Sequence, residues 1–257
     1  MGTTRLPRSF LLSCAVALLV TLTASVPVGA DAQPGAKIKA RLTPEHLGSA
    51  TTVSLGFQLP PRDGVSPAAL SSMQLAYPPN LGLATSGLGL ASCSAGELEA
   101  LGVEGCPANS RMGSGSATVE LVLKVETVTE HISLALFAAP SSDGYLHVLV
   151  YASGVFPVYA QLLLSGVLMH GQMAVTVPPI PSFPEAPNVV MTQMQLTLGG
   201  PLTYYERSAG KLIPYHPAGV GLPSRCPTGG FPFGATFVFL DGGHASARTA
   251  VPCPDRA

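Results

Sequence analysis

The stretch HISLALFAAPSSDGYLHVLVYAS, residues 131–153, leaves the chain little choice of local structure. Ile132, Leu134, Leu136 and Ala138 recur at every second position, and so do Leu146, Val148, Val150 and Ala152. That period is the signature of strands with one buried face. Between the two runs, Ser141-Ser142-Asp143-Gly144 suits a type I turn that ends with Gly144 in the left-handed region. Pairing residue 141 with 145 sets 138 opposite 148 and 134 opposite 152. Both apolar sets then fall on the same side, so pattern and turn chemistry specify the same antiparallel hairpin.

Further segments read the same way. SATVELVLKVE, residues 116–126, places Val119, Leu121, Leu123 and Val125 on one face and Glu120, Lys124 and Glu126 on the other. Strands are also expected at 37–43, 51–59, 71–77, 158–168, 172–177 and 189–198. FPFGATFVFLDGGHASARTAV forms a second hairpin turning at Asp241-Gly242-Gly243. The proline-rich segment between Pro178 and Pro187 reads as an extended crossover loop. No long segment with helical period and no solenoid repeat is present. Twenty-eight glycines and 25 prolines fit many short strands joined by tight turns. The expected fold class is all-β, an antiparallel β-sandwich of Ig-like or jelly-roll style.

One short helix interrupts this pattern, in CSAGELEALGVEGCPANSRMG, residues 93–113. Ser94 suits an N-cap, and Glu97 completes a capping box. Leu98 and Leu101 are expected to share a face, and Gly102 to end the helix in the αL conformation. Two helical turns are marginal alone, so a bond between the flanking Cys93 and Cys106 would clamp them.

The N-terminus bears on whether that bond forms. Arg5 and Arg8 precede the apolar run Phe10–Ala24, which falls short of the roughly 20 residues a membrane span needs. Small residues follow, with cleavage expected after Ala30 or Ala32. Residues 1–32 therefore read as a secretory signal peptide, with no transmembrane span left after its removal. Residues 33–257 are expected to form a single β-sandwich domain, including a C-terminal hairpin closed by 226–253. Cys14 lies inside the apolar run, and its removal leaves Cys93, Cys106, Cys226 and Cys253. An even number in an exported chain implies disulfides. Three pairings are possible; proximity favours Cys93–Cys106 and Cys226–Cys253. A zinc site would want CxxC spacing or matched histidines, and neither is present.

YPPNLGL followed by CSAGELEALGVEGCPANSRMGSG resembles a pattern in uncharacterised secreted β-rich proteins of high-GC Gram-positive (actinobacterial) type. Pro78, Pro79, Leu81, Cys93, Cys106, Pro107, Ser110 and Gly113 match it, while Asn80 stands where a glycine is usual. The terminal CPTGGFPFGATFVFLDGGHASARTAVPCP is similar to their cysteine-bracketed end strands. The resemblance implies export and a β-rich fold, and brings no known activity.

Chemical motifs are sparse. Gly113-Ser-Gly-Ser-Ala117 fails the G-x-S-x-G elbow of serine hydrolases. Glu97 and Glu99 point in different directions on the helix and make no glycosidase pair. His131 and His147 share the outward face of the first hairpin but stand ~26 Å apart, too far to hold one metal ion. Charged residues make up 11% of the chain and net charge is −1, with no basic stripe beyond Lys37, Lys39 and Arg41, so nucleic-acid binding is unsupported. No tryptophan offers a sugar-stacking platform. The least bland segment is TYYERSAGKLIPYHP, 203–217, where Tyr204, Tyr205, Arg207, Tyr215 and His216 gather. The sequence reading is thus an exported, secreted or envelope-associated protein, non-enzymatic, with no cofactor or metal. Its role would be structural or interactive with an unknown envelope or extracellular partner. The alternative is a small-ligand or glycan-binding module using the 203–217 loop.

Overall fold

The computed structural model describes residues 35–61, 65–83, 87–122, 126–156, 159–178, 189–200 and 202–254, the side chains of Val122, Glu206 and Arg207 excepted. The expected signal peptide and nearly all of the proline-rich loop lie outside the described residues.

The alternating segments become strands where the pattern placed them. β1 (Lys37–Thr43) and β2 (Ala50–Gln58) form one hairpin, and β3 (Leu70–Ala76) follows. A helix, α1 (Ala95–Leu101), leads into 3₁₀ turns at Gly102–Gly105 and Ala108–Ser110. β4 (Arg111–Val122), β5 (Thr127–Ala139), β6 (Leu146–Gly154), β7 (Ala160–Met169) and β8 (Gln172–Thr176) then run as an antiparallel meander. β9 (Val189–Leu198) returns between β2 and β4. β10 (Tyr204–Ser208) and β11 (Lys211–Tyr215) make a separate two-stranded ribbon. β12 (Val220–Gly221) touches β2, and β13 (Phe231–Phe239) with β14 (His244–Val251) is the second hairpin.

The main sheet has the order β1-β2-β9-β4-β5-β6-β7-β8-β3-β13-β14, antiparallel throughout. Its first and last strands lie beside each other, so the sheet curls towards a barrel. Buried apolar side chains fill the interior, where Phe57 of β2 and Phe237 of β13 meet edge to face with ring centroids 5.7 Å apart. A cavity of about 30 Å³ inside is lined by apolar side chains such as Leu55, Leu136 and Phe233.

The first hairpin adopts the expected register, with Ala138 opposite Val148 and Leu134 opposite Ala152. Gly144 has φ +81°, as the turn requires. Leu134, Leu136 and Ala138 face the interior, while Ala135 and Phe137 of the same strand face outward into a second buried cluster with Cys93, Leu98, Leu149 and Tyr151. A central strand can be apolar on both faces only if something covers its outside. Here α1 does so.

Strand β4 begins earlier than its alternation suggests, because a bulge between Arg111 and Gly113 resets its register against β5. Gly113 then approaches β9 closely; a Cβ there would stand 2.2 Å from the Thr197 carbonyl oxygen. Val119 and Leu121 are only partly buried. Opposite Val119 stands Glu130, 2% exposed. It continues the inward phase of Ile132 and Leu134, and its Oε1 has no hydrogen-bond partner. Burial raises its pKa above the ordinary glutamate value.

Candidate functional site

The opening of the site is set by the cysteine-bracketed segment. Cys93 is bonded to Cys106, and Cys226 to Cys253, with Cα–Cα distances of 5.3 and 5.9 Å. The capping box is complete: the Glu97 amide donates to Ser94 Oγ at 3.2 Å, and the Ser94 amide donates to Glu97 Oε2 at 2.8 Å. The bonds from the Ser94 amide and hydroxyl hold the Glu97 carboxyl below its ordinary pKa. Two details differ from expectation. Gly102 has positive φ, +66°, but ψ −158°, a region open to glycine alone rather than αL. And Leu101 does not share the buried face: Leu98 is fully buried while Leu101 is 67% exposed. The 3₁₀ turn that starts at Gly102 folds back against Leu101, and the Leu101 side chain stays largely in solvent. The Cβ that Gly105 lacks would stand 2.5 Å from Leu101 Cβ.

After Cys106 the chain turns tightly. Ser110, fully buried, donates its hydroxyl to the Pro107 carbonyl at 2.6 Å. This delivers Arg111 to the start of β4, directly opposite Phe137 on β5, and so to the outer face. On the other side stands the 203–217 segment. Tyr204 is 1% exposed; its hydroxyl donates to the Arg111 carbonyl, and its ring stacks on Tyr215 at 6.0 Å and 19°. Burial pushes the Tyr204 phenol up to about 12, the nearby Arg111 guanidinium offsetting part of the rise. His216 Nδ1 lies 3.1 Å from Thr203 Oγ1.

Between these two flanks lies a groove of about 350 Å³. Its floor is the outer face of β5 and β6: Ser133, Ala135 and Phe137, with Tyr151 and Ser153. One wall is the stapled turn, from Val103 and Glu104 to Ala108, and the other is Leu202, Thr203 and Tyr204, with Arg111 between them. Ser133 and Ser153 are directly paired across the two strands. Arg111 Nε is buried and has no hydrogen-bond partner. The size is at the lower end of the range of small-ligand sites, and the lining is divided about evenly between polar and apolar surface.

Of the five residues singled out in the sequence, the structure brings Tyr204 into this site with Tyr215 stacked behind it. Tyr205 points away, 61% exposed, opposite Pro214. His216 is exposed beside Thr203. Arg207 pairs with Leu212 through the backbone ladder. Alternation along β10 separates Tyr204 from its neighbour. Arg111 was missed, although the bulge-forming Arg-Met-Gly after Cys-Pro was on view. His131 and His147 lie on different parts of the ribbon: His131 opposite Thr118, His147 opposite Ala139. His147 Nε2 is 2.9 Å from Asp143 Oδ2, and this hydrogen bond holds the Asp143 carboxyl down to about 2.

Among the described residues no helix is long and apolar enough to cross a membrane. No protein-family model, curated protein or solved structure matches the chain.

Proposed function

We propose that this is an exported binding protein that holds a small ligand in the outer-face groove, without catalysis. The groove itself carries the reading: about 350 Å³ of open space between two separately anchored walls, over a floor that includes Phe137 and Tyr151. Both walls are fixed before any ligand arrives, one by the Cys93–Cys106 bond and the other by the buried Tyr204. A preformed site loses less entropy on binding than one that must be assembled. Two disulfides, the apolar Phe10–Ala24 run and the resemblance to secreted actinobacterial proteins support export.

Filling the floor tests the reading. Ser133 is exposed at one end of it, and Ser133→Phe puts a ring in the groove without disturbing the interior. Small molecules that raise the melting temperature of the wild-type protein are expected to lose that effect in the variant. Ligands that stabilise both forms equally would place binding elsewhere. A second reading, an interaction module for a protein partner, is favoured by one feature: Tyr205 and Leu212, 61% and 62% exposed, stand on one face of the β10–β11 ribbon. Leu212→Glu would abolish partner capture under that reading and leave ligand binding in the groove intact.

A further inference from the structure

We infer that the ligand of the groove is a small organic monocarboxylate with an apolar body, its carboxylate held by the Arg111 guanidinium. The inference rests on the groove reading above and adds the chemical class.

Arg111 is the starting point. Its Nε is removed from solvent, yet no acceptor meets it. Among the described residues it has no ion-pair partner either. A buried donor left unpaired costs free energy, and folded proteins satisfy nearly all of them. If Arg111 were there to hold the fold together, a carboxylate or carbonyl of the chain would face it. The neighbouring tyrosine does not fill that role. Tyr204 donates to the Arg111 backbone carbonyl and so fixes the position of the residue, not its side chain. The bulge at 111/113 and this hydrogen bond together hold Arg111 at the groove with its Nε unpaired.

A guanidinium presents parallel N–H donors that match the two oxygens of a carboxylate. The rest of the lining narrows the class. Among the described residues, Arg111 is the only cation of the lining, and Glu104, exposed at the rim, the only anion. One cation suits a ligand with a single negative charge; a polyphosphate would meet too few cations. Beyond Arg111 the floor is apolar through Phe137 and Ala135, which fits hydrocarbon or an aromatic ring. It then becomes polar at the paired Ser133 and Ser153. Four residues separate Ser133 from Phe137, so the serines lie ~13 Å along the strand from the Arg111 end. The volume accommodates on the order of a dozen non-hydrogen atoms at liquid density. An elongated molecule of that size reaches from the arginine to the serines.

The test uses octanoate and phenylacetate as probes, octanamide as the uncharged match, and inorganic phosphate as the bare anion. Each is titrated against the full-length protein and against Arg111→Gln, Arg111→Lys and Ser133→Phe, with melting temperature and isothermal calorimetry as readouts. The carboxylates are expected to bind at least tenfold more tightly than octanamide or phosphate. Arg111→Gln is expected to erase that preference while leaving the affinity for octanamide unchanged, which a merely unfolded variant would not do. Arg111→Lys is expected to retain part of it. Equal affinity of octanoate and octanamide, equal octanoate binding by wild type and Arg111→Gln, phosphate matching octanoate, or no binding of either carboxylate would each overturn the assignment. The groove reading fails separately, if ligands bind Ser133→Phe as they bind the wild type. Octanamide lost in Ser133→Phe, with octanoate binding the wild type no more tightly than octanamide does, would leave the groove standing and remove the carboxylate.

Discussion

Replacing both Cys93 and Cys106 with alanine should open the groove's outer wall without unfolding the sheet. The bond closes a loop across a sequence separation of 13 residues. Chain-entropy arithmetic for a loop of that length gives about 3 kcal/mol. What that free energy holds in place is small: a helix of seven residues with Leu98 as its one buried side chain. Such a helix is marginal without the bond. The strands beneath it have a second, much larger apolar contact on their inner face, through Leu134, Leu136, Val148 and Val150. The loss should therefore appear as local opening rather than global unfolding. Two amides report on it, that of Leu98, which donates to the Ser94 carbonyl, and that of Cys93, which donates to the Ala138 carbonyl at 2.8 Å. At the residues now numbered 93 and 98, a loss of about 3 kcal/mol is exchange faster by on the order of 100-fold. The β13–β14 amides, bridged at their open end by Cys226–Cys253, should exchange as before. Native-state hydrogen exchange read by mass spectrometry or NMR decides the matter. Acceleration below about tenfold at residues 93 and 98, or equal acceleration in β13 and β14, would refute the idea of a local staple.

Glu130 is raised above the ordinary glutamate value by burial, so the folded state binds its proton more tightly than the unfolded state. Its stabilising contribution is complete below the unfolded pKa and is lost as pH rises through the folded one. Glu130→Gln should accordingly raise stability at about pH 7 by about 1–3 kcal/mol and change it little near pH 4; thermal melts across that range check the crossover. Tyr204→Phe should cost about 1 kcal/mol by removing the bond to the Arg111 carbonyl, whereas Tyr205→Ala, at an exposed position, should stay within about 0.5 kcal/mol in urea titrations. Arg111→Met should leave the melting temperature unchanged or raise it, since it removes an unpaired buried donor; a drop of more than about 1 kcal/mol would assign the arginine a role in holding the fold. Ser94→Ala should cost about 1 kcal/mol by deleting the cap, read as faster exchange confined to α1.

Local chemistry was legible from sequence wherever neighbours in space are neighbours in the chain. The β5–β6 register followed from alternation and a turn with one glycine, and Ala138 does face Val148. The capping box and both disulfides are equally local. Strand order was not legible, because it depends on long-range choices that alternation does not encode. β3 lies between β8 and β13, and β9 between β2 and β4. Any of these strands offers a similar apolar stripe to a neighbour. The outward burial of Ala135 and Phe137 was visible as a run of apolar residues on both faces of β5, but only the position of α1 explains it.

The groove shows most sharply where such reading stops. Tyr204 and Arg111 meet although 93 residues separate them, and neither residue type by itself signals a site. The tyrosines form one group in the sequence, but a strand divides such a group. Tyr204 turns inward to become a wall, and Tyr205 turns out to solvent, as period 2 demands. Arg111 gains its character from three local events in succession: the disulfide that ends at Cys106, the Pro107–Ser110 turn, and the bulge before Gly113. Each is a structural device. Their combined result is a cation on the outer sheet face whose buried Nε meets no acceptor. Structural requirements alone would have paired it or replaced it with an apolar side chain. A polar group that breaks this rule, in an open groove between two braced walls, is where selection for a ligand rather than for the fold would leave its mark.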